Sequence, residues 1–388
     1  TSHQHIIKAV DYLLRSALRE RASDIHMEPK RDHALVRFRI DGILHDLHRL
    51  PTTVHLAMMN RLKGISRLDI SEKRMPQDGR FNIQVRGHEI DIRISTMPVQ
   101  HGESVVMRLL DHSAGLLSLN DTGMPPAMLE RFRRQLRRPH GMIVVTGPTG
   151  SGKTTTLYGA ISELNVPSNK IISVEDPVEY RLPRINQVQV NNKAGMTFAA
   201  ALRSILRADP DVVLIGEIRD QETANIAIEA SLTGHLVLST LHTNDAPSAV
   251  TRLTEMGVEP FLLSSSLAAV MAQRLARRLC KKCKRQDTAT EAELRTLGVP
   301  HMPDTPLPTI WRPVGCRECA NTGYSGRVAI QQVMGVDSTM EDLIARGATS
   351  IDIDKAAKEQ GMTTLRKDGW QKALQGITSV EEVLRVTV

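Results

Sequence analysis

The sequence predicts an α/β protein with a small α+β domain before its main sheet, and with a cysteine module and a helical tail after it. Three observations lead to this prediction. From Met142 onward, apolar runs alternate with helix-like segments, which is the pattern of a parallel sheet with helices on its faces. Before that point, short β-rich pieces are separated by Asp-Gly and Arg-Gly turns. All four cysteines lie in one later stretch, as two Cys-x-x-Cys pairs.

Five segments are expected, because 388 residues are too many for one simple core. They are an N-terminal α+β domain at 1–112, a linker at 113–123, an α/β core at 124–275, a four-cysteine module at 276–330 and a helical C-terminal domain at 331–388. We see no internal repeat and no low-complexity tract in the chain.

Hydrophobic periodicity places the elements within these segments. The first domain is expected to begin with an amphipathic helix over His3–Glu20 and to contain strands at Ala34–Ile40, Phe81–Val85, Glu89–Ile94 and Ser104–Leu110. In the core, Pro125-Pro126 opens a helix that continues to Arg138. The core strands are expected at Met142–Thr146, Lys170–Val174, Val212–Gly216 and Leu236–Ser239, and helices at Phe198–Leu206 and Gln221–Ala230.

A phosphate-binding loop is predicted at the end of the first core strand. There a G-x4-G-K-T motif lies between that strand and a helix-like segment, Thr155–Leu164. Its glycines let backbone N–H groups converge on phosphate oxygens, and the helix N-terminus adds positive charge. Lys153 is expected to reach the β/γ-phosphates of a nucleoside triphosphate, and Thr154 to hold Mg²⁺. The expected nucleotide-binding residues are Gly147, Pro148, Thr149, Gly150, Ser151, Gly152, Lys153, Thr154 and Thr155.

Two further core strands end in carboxylates. The strand over 211–216 leads to Glu217, which this arrangement would place near Mg²⁺ or the attacking water. A second acidic segment, Glu175–Glu179, follows another strand. One of its carboxylates could act as a general base, or the segment is a surface acidic turn.

Histidines and arginines offer weaker indications. His235 and His242 flank the fourth core strand. Three interpretations stay open for them: hydrogen-bonded histidines of the core, sensors of a γ-phosphate, or contacts to a neighbouring subunit. Arginines stabilise the charge that develops in phosphoryl transfer, although exposed arginines usually interact only with solvent. The candidates are Arg203 and Arg207, which share one helix face, and Arg93 and Arg108, which lie on strands of the first domain.

The four cysteines, Cys280, Cys283, Cys316 and Cys319, match a tetrahedral zinc site. Because four protein ligands leave no position for a substrate water, such a zinc would be structural. Paired redox thiols are the alternative, and a zinc knuckle could also bind nucleic acid.

Composition limits the possible partners and location. The net charge of +7 permits an anionic partner, but an aromatic content of 3% argues against base stacking on single-stranded nucleic acid. The longest apolar candidate for a membrane span, Phe261–Ala272, is short and interrupted by three serines. The N-terminal residues lack the apolar block of a secretory signal. We therefore expect a cytoplasmic protein that makes no direct contact with nucleic acid.

Several separate motifs together resemble the secretion ATPases of type II secretion and type IV pilus assembly, the GspE/PilB family. The motifs are Ala22–Pro29, Arg37–Gly42, Pro76–Arg80, Gly102–Leu110, the phosphate-binding loop, Val174–Tyr180, Gly216-Glu217, Thr233–Asn244, Gly323–Arg327 and Ser379–Leu384. The strand after Arg327 differs slightly from the family's pattern. Its residues Val328–Gln332 include two glutamines where the family often has an aromatic and an acidic residue.

The resemblance implies a RecA-like P-loop ATPase core behind a PAS-like α+β domain. It implies that Glu175 is the catalytic carboxylate, that Glu217 supports Mg²⁺ and water, and that His235 and His242 sense the nucleotide. It makes Arg93, Arg108, Arg203 and Arg207 the candidate charge-neutralising arginines. ATP, Mg²⁺ and a structural Zn²⁺ are the implied cofactors.

For the whole protein, the resemblance implies a homo-hexamer at the cytoplasmic face of the inner membrane. Its implied partners are an inner-membrane platform protein and cytoplasmic-face assembly proteins, through which ATP hydrolysis would extrude pilins or pseudopilins. The cysteine module favours the extension or secretion side over retraction. Two alternatives stay open: a RecA-like nucleic-acid translocase, and a zinc-containing assembly protein that uses ATP only as a structural ligand.

Overall fold

The computed structural model describes residues 3–112 and 116–387. Contacts divide the chain into two compact units, with the division between Gly115 and Leu116. Of the expected linker at 113–123, residues 113–115 lie outside the described residues. Leu119, also expected in the linker, is instead fully buried in the core of the second unit.

The first unit is an antiparallel sheet with two helices packed on it. Its elements are α1 (His3–Arg19), β1 (Ala22–Pro29), β2 (His33–Ile40), β3 (Ile43–Pro51), α2 (Thr52–Ile65), β4 (Gln77–Val85), β5 (His88–Val99) and β6 (Gly102–Asp111). The strand order is β3-β2-β1-β6-β5-β4. Alternate residues such as Ile25, Met27, Ile92 and Met107 are buried beneath the helices, because side chains alternate between the two faces of a strand.

The second unit is built on a mostly parallel sheet. Its elements up to the end of the sheet core are α3 (Pro126–Leu136), β7 (Gly141–Thr146), α4 (Lys153–Leu164), β8 (Ile171–Glu175), β9 (Asn186–Gln189), α5 (Phe198–Leu206), β10 (Val212–Ile215), α6 (Gln221–Leu232), β11 (Leu236–Leu241), α7 (Ala246–Glu255), α8 (Pro260–Ser266) and β12 (Leu267–Leu279). The strands and helices predicted from Met142 to Ala230 are confirmed to within two residues.

A small insertion and a helical tail complete the second unit. The elements are β13 (Arg285–Thr288), α9 (Glu291–Leu297), β14 (Thr309–Arg312), β15 (Tyr324–Gly335), α10 (Ser338–Ala345), α11 (Ser350–Glu359), α12 (Leu365–Leu374) and α13 (Val380–Val386). In the main sheet the strand order is β15-β12-β7-β11-β10-β8-β9, and β15 runs antiparallel to β12.

The main sheet is covered by hydrophobic cores on both faces. Along β7, Met142 and Val144 belong to one core, whereas Ile143 and Val145 belong to the other. A strand buried on both faces reads as a continuous apolar run, as β7 does in the sequence. Strands β7, β8, β10 and β11 are paired in parallel, so their carboxyl ends lie along the same edge of the sheet. This edge carries the candidate site.

The structure shifts two expected boundaries. The apolar stretch Phe261–Ala272 divides into α8 and β12, and β12 pairs in parallel with β7. The boundaries expected at 275/276 and 330/331 thus fall inside β12 and β15, both strands of the main sheet. We propose that the cysteine module is an insertion at 280–323 between these strands. None of the helices in residues 3–112 and 116–387 is long and apolar enough to cross a membrane.

Candidate nucleotide site and cysteine centre

The predicted phosphate-binding loop joins β7 to α4, and it fits closely against β12. A Cβ atom at Gly147 would lie 2.5 Å from the carbonyl oxygen of Gln273, so a side chain has no room there. Gly152, which precedes α4, has a φ of +82°, a conformation that favours glycine. Pro148, Thr149 and Gly150 at the tip of the loop are exposed. The loop therefore has a fixed base and an accessible tip.

Lys153 is buried at the start of α4. Its Nζ donates to the carbonyl oxygens of Gly147 at 2.7 Å and Pro148 at 3.0 Å. It also lies 3.4 Å from Nδ1 of His242. Burial lowers the pKa of Lys153 to about 8; Glu217 opposes this shift and Arg274 adds to it. Lys153 thus provides a cation held against the loop itself.

Glu217 lies at the carboxyl end of β10 and joins the same cluster. Its carboxylate forms an ion pair with Arg219 and lies 3.6 Å from Nε2 of His242. The structure therefore brings together Lys153, His242 and Glu217 from three different strand ends. Arg219 also belongs to this cluster, although the sequence did not indicate it. Its position two residues after Glu217 was the one sequence feature that could have indicated this ion pair.

Glu175 ends β8 and is buried. Its carboxylate accepts hydrogen bonds from the Tyr158 hydroxyl, from Ser173 Oγ at 2.8 Å and from Gln187 Nε2 at 3.1 Å. Burial raises the pKa of Tyr158 above its usual range, and the Glu175 carboxylate adds to the shift, so the phenol stays a donor. These three donors come from α4, β8 and β9. No motif in the sequence indicated that they would contact Glu175.

The two histidines lie at opposite ends of β11. His242 follows the carboxyl end, near Lys153, whereas His235 precedes Leu236 at the amino end. Six strand residues separate them by roughly 20 Å. His235 Nδ1 lies 3.0 Å from the Ala230 carbonyl oxygen. The structure therefore does not bring His235 to the phosphate-binding loop of its own chain, contrary to the joint sensor role implied by the resemblance.

Arg203 and Arg207 are exposed at the end of α5. Arg203 forms a 2.5 Å ion pair with Glu222 on α6, and Arg207 lies 3.4 Å from Ser204 Oγ. Neither contact involves the cluster around Lys153. In this chain the two arginines thus lie on the exposed surface at the end of α5.

Arg93 and Arg108 face each other across β5 and β6 in the first unit. The row continues to Arg80 on β4 and to Asp24 on β1, because each residue is paired in register with the next. Arg108 Nε donates to Asp24 Oδ1 at 3.1 Å, yet its side chain remains 61% exposed. Like charges opposite one another destabilise a sheet.

The four cysteines converge to a single centre. Their Sγ atoms lie within 4.8 Å of one another, and neighbouring pairs are 3.7–3.9 Å apart. Four sulfurs at 2.3 Å from a tetrahedral zinc would be roughly 3.8 Å apart, so the donor set fits this metal. Backbone N–H groups of Cys316 and Gly323 donate to Cys319 Sγ at 3.2 and 3.3 Å, which supports a thiolate.

The fold and this edge of the sheet define a P-loop protein of the α/β class. The family model of the Type II/IV secretion system protein matches residues 1–385. The chain is 51% identical over 382 residues to the type II secretion system protein HxcR of Pseudomonas aeruginosa, a match that covers 98% of this chain and 77% of that protein. It is 50% identical over 382 residues to the type IV pilus assembly ATPase PilB of Myxococcus xanthus, covering 98% and 67%.

Solved structures agree with the fold. The pilus retraction motor PilT with bound ADP superposes with a TM-score of 0.64 at 25% identity, covering 97% of this chain and 96% of that one. The Legionella pneumophila ATPase DotB gives a TM-score of 0.70 at 20% identity, covering 97% and 94%. The chain belongs to the Type II/IV secretion system protein family, and the expected resemblance and α/β fold class are confirmed.

Proposed function

We propose that this chain hydrolyses ATP and that the hydrolysis powers type II secretion or type IV pilus assembly. The observation that carries the proposal is the cluster of Lys153, His242 and Glu217 at the edge of the sheet, in a chain of this family. Relatives support it by name, including the type II secretion system ATPase E of Vibrio cholerae, which is 48% identical.

ATP binding would exchange the partners of Lys153. Its ammonium would leave the carbonyl oxygens of Gly147 and Pro148 for the β- and γ-phosphates, while backbone N–H groups from Gly147 to Thr155 surround the phosphates. Mg²⁺ would neutralise phosphate charge, and the oxygens of Thr154 and Glu217 are of the kind it prefers. His242 would report the γ-phosphate through its contact with Lys153.

Glu175 is the proposed general base. A carboxylate offers about four acceptor positions, and three donors already occupy Glu175. One position is left for the hydrogen of an attacking water. The three donors would hold the carboxylate in one orientation, which is what a general base requires.

The arginines would complete the site in an assembly of six chains. The half-buried Arg93 and the exposed Arg108, Arg203 and Arg207 would neutralise developing phosphate charge, and His235 would contact a neighbouring subunit. Because one chain's contact surface repeats on the next, head-to-tail contacts can close a ring. Nucleotide-driven motion between the two units would then act on an inner-membrane platform protein, which would hold the ring at the cytoplasmic face of the membrane together with cytoplasmic-face assembly proteins.

A structural zinc is proposed for the cysteine centre. The ligands would be Cys280, Cys283, Cys316 and Cys319, which leave no coordination position for a substrate. Its role would be to hold the insertion at 280–323 in one conformation.

Phosphate release from MgATP tests the activity. We expect Lys153→Ala to abolish turnover, because no cation would remain on the β/γ-phosphates. Glu175→Gln should keep nucleotide binding but lower turnover by at least about a hundredfold. The exposed Lys193→Ala and Glu229→Gln serve as matched controls and should hydrolyse ATP like the wild type.

Two outcomes would contradict the proposal. If the wild-type chain binds MgATP but releases no phosphate from it, ATP is only a structural ligand. Strong stimulation by DNA or RNA would favour a nucleic-acid translocase. Adjacent genes for pseudopilins and a secretin, as against major pilins, would separate secretion from pilus assembly.

A further inference from the structure

We propose that Gln273 is a positioning residue of the phosphate-binding loop and that Gln331 fixes the orientation of its amide. The inference rests on the proposed binding of a nucleotide at this loop. It concerns β12 and β15, two neighbouring strands of the main sheet.

One buried amide joins the loop to the helix that follows it. Gln273 is 1% exposed; its Nε2 donates to the Ser151 carbonyl oxygen at 2.8 Å, and its Oε1 accepts from Thr156 Oγ1 at 2.7 Å. The loop also packs directly on this residue. A Cβ at Gly152 would lie 2.9 Å from Gln273 Nε2, and one at Gly147 would lie 2.5 Å from its carbonyl oxygen.

The hydrogen bond to Ser151 sets the direction of the next backbone N–H. The Ser151 carbonyl and the Gly152 N–H belong to one planar trans peptide, so they point in opposite directions. Because Gln273 holds the carbonyl on the β12 side, the Gly152 N–H is directed away from β12, toward the outer side of the loop. The loop glycines make such N–H groups converge on phosphate oxygens. Gln273 therefore orients one of the donors that a phosphate needs.

The amide has to keep one orientation to serve both partners. Gln331 Nε2 donates to Gln273 Oε1 at 3.0 Å, so the oxygen of Gln273 receives two donors and its nitrogen is left for Ser151. Gln331 is itself fully buried, and its backbone N–H donates to Asp368 Oδ2 at 2.9 Å. A glutamate at 273 could accept but not donate, and a methionine could do neither.

The expected effect is on nucleotide affinity rather than on the chemical step. Gln273 bonds the loop and not the cluster around Glu175 and Glu217. Gln273→Met and Gln273→Glu should each raise the Kd for MgADP about tenfold, the size expected for losing a buried hydrogen bond. The KM for ATP should rise in parallel, while kcat stays within about threefold of wild type.

The test compares these variants with Gln332→Met in the whole 388-residue chain. Gln332 is the next residue of β15 and is also buried, but its Oε1 accepts from the Ala246 N–H at 3.1 Å instead of joining the loop network. Isothermal titration with MgADP gives the Kd, and phosphate release gives KM and kcat. We expect Gln332→Met to lower the melting temperature as much as Gln273→Met does, with a wild-type Kd.

The measurements distinguish a failure of this inference from a failure of the proposed function. An unchanged Kd in folded Gln273→Met overturns the inference alone, whereas a wild-type chain that binds no nucleotide overturns the proposed function with it. If Gln273→Met does not fold, Gln331→Met decides, because it leaves Gln273 in place and frees its amide to rotate. That variant should raise the Kd about threefold, and an unchanged value overturns the inference.

Discussion

Lys153 shows how burial at a single residue shapes the candidate site. Its ammonium is removed from water and is satisfied by two carbonyl oxygens of its own loop. Removal from water disfavours the charged form, and the pKa falls to about 8. Phosphate oxygens would favour the charged form again. Nucleotide binding and protonation of this residue should therefore be linked.

Nucleotide affinity should depend on pH because of this linkage. Below pH 8 the free protein already carries the proton, so the Kd for MgADP should be flat. Above pH 8 binding must take up a proton, and the Kd should rise by up to about tenfold per pH unit. Titration calorimetry at pH 7, 8 and 9, in buffers with different ionisation enthalpies, measures both the Kd and the proton uptake.

Lys153→Arg is the matched control, because a guanidinium stays charged throughout this range. Its Kd should show no rise above pH 8. A wild-type Kd that is equal at pH 7 and pH 9 would show that Lys153 does not titrate on binding.

The sequence predicted residues that act through a local motif better than residues that act through the fold. Lys153 and Glu217 stand in recognisable positions, next to a glycine-rich loop and at the end of an apolar strand. Tyr158 and Gln187 reach Glu175 from other elements, so only the folded chain brings them together. His235 and His242 share one sequence motif, yet a strand holds its two ends apart. Spacing along a chain is thus a poor guide to distance across a strand.

Two helices of the tail contain the same ion pair in opposite surroundings. Lys372 and Asp368 on α12 are 2.6 Å apart, with side chains 4% and 0% exposed. Lys358 and Asp354 on α11 are also 2.6 Å apart, but 49% and 33% exposed. Burial raises the pKa of Asp368 and lowers that of Lys372, so each needs its partner to stay charged. The comparison separates the effect of burial from that of helix geometry.

Removing one partner should therefore have very different costs. Lys372→Met should lower the free energy of unfolding by about 3–5 kcal/mol, because it leaves Asp368 buried and uncompensated. Lys358→Met, with the same spacing on an exposed helix face, should change it by less than about 0.5 kcal/mol. Urea unfolding of the two variants measures the difference. Equal effects would mean that water reaches the α12 pair.

The cysteine insertion should behave as a separate element when its metal is removed. Strands β12 and β15 stay paired by their own register, so the sheet does not depend on the insertion between them. The insertion contacts the tail through Lys284 and Gly376, 2.8 Å apart. Elemental analysis should find one zinc per chain. After chelation, hydrogen exchange should rise within 280–323 and around Gly376, while the Kd for MgADP changes by less than about twofold.

Cys316→Ser should reproduce the exchange pattern of the chelated protein, whereas Ser325→Ala, beyond the last cysteine, should not. A chelator that leaves exchange in 280–323 unchanged would remove zinc from its proposed structural role.

At the scale of the whole molecule, the alternation of apolar strands and helices made the α/β core predictable. Strands β12 and β15, which extend the sheet beyond β7, were not predicted as strands of this sheet, and the reason is physical. The first half of β12, residues 267–272, is apolar, but Gln273 and Arg274 interrupt this run, so the sequence did not indicate a strand of thirteen residues. These two residues are buried because hydrogen bonds satisfy them, as Gln273 is by Ser151, Thr156 and Gln331. In the first unit, β3 was missed because this edge strand carries His45, Asp46 and His48, and residues 46–49 are all exposed, so it lacks an apolar alternation.

The division of the chain into two units leads to the last prediction. The hydrogen-bond partners described for Lys153 are Gly147, Pro148 and His242, and all of them lie in the second unit. A fragment of residues 116–388 should therefore bind MgADP with a Kd within about threefold of the full chain. Its ATP turnover should fall by at least about a hundredfold, because the charge neutralisation proposed for Arg93 and Arg108 would be lost.

The double variant Arg93→Ala/Arg108→Ala of the 388-residue chain is the matched comparison, since it keeps the first unit and removes only the two guanidinium groups. It should bind MgADP normally and lose turnover to the same extent as the fragment. Full turnover by the double variant together with loss in the fragment would assign the first unit a mechanical role without catalytic arginines. Full turnover by both would place the complete catalytic site within the second unit.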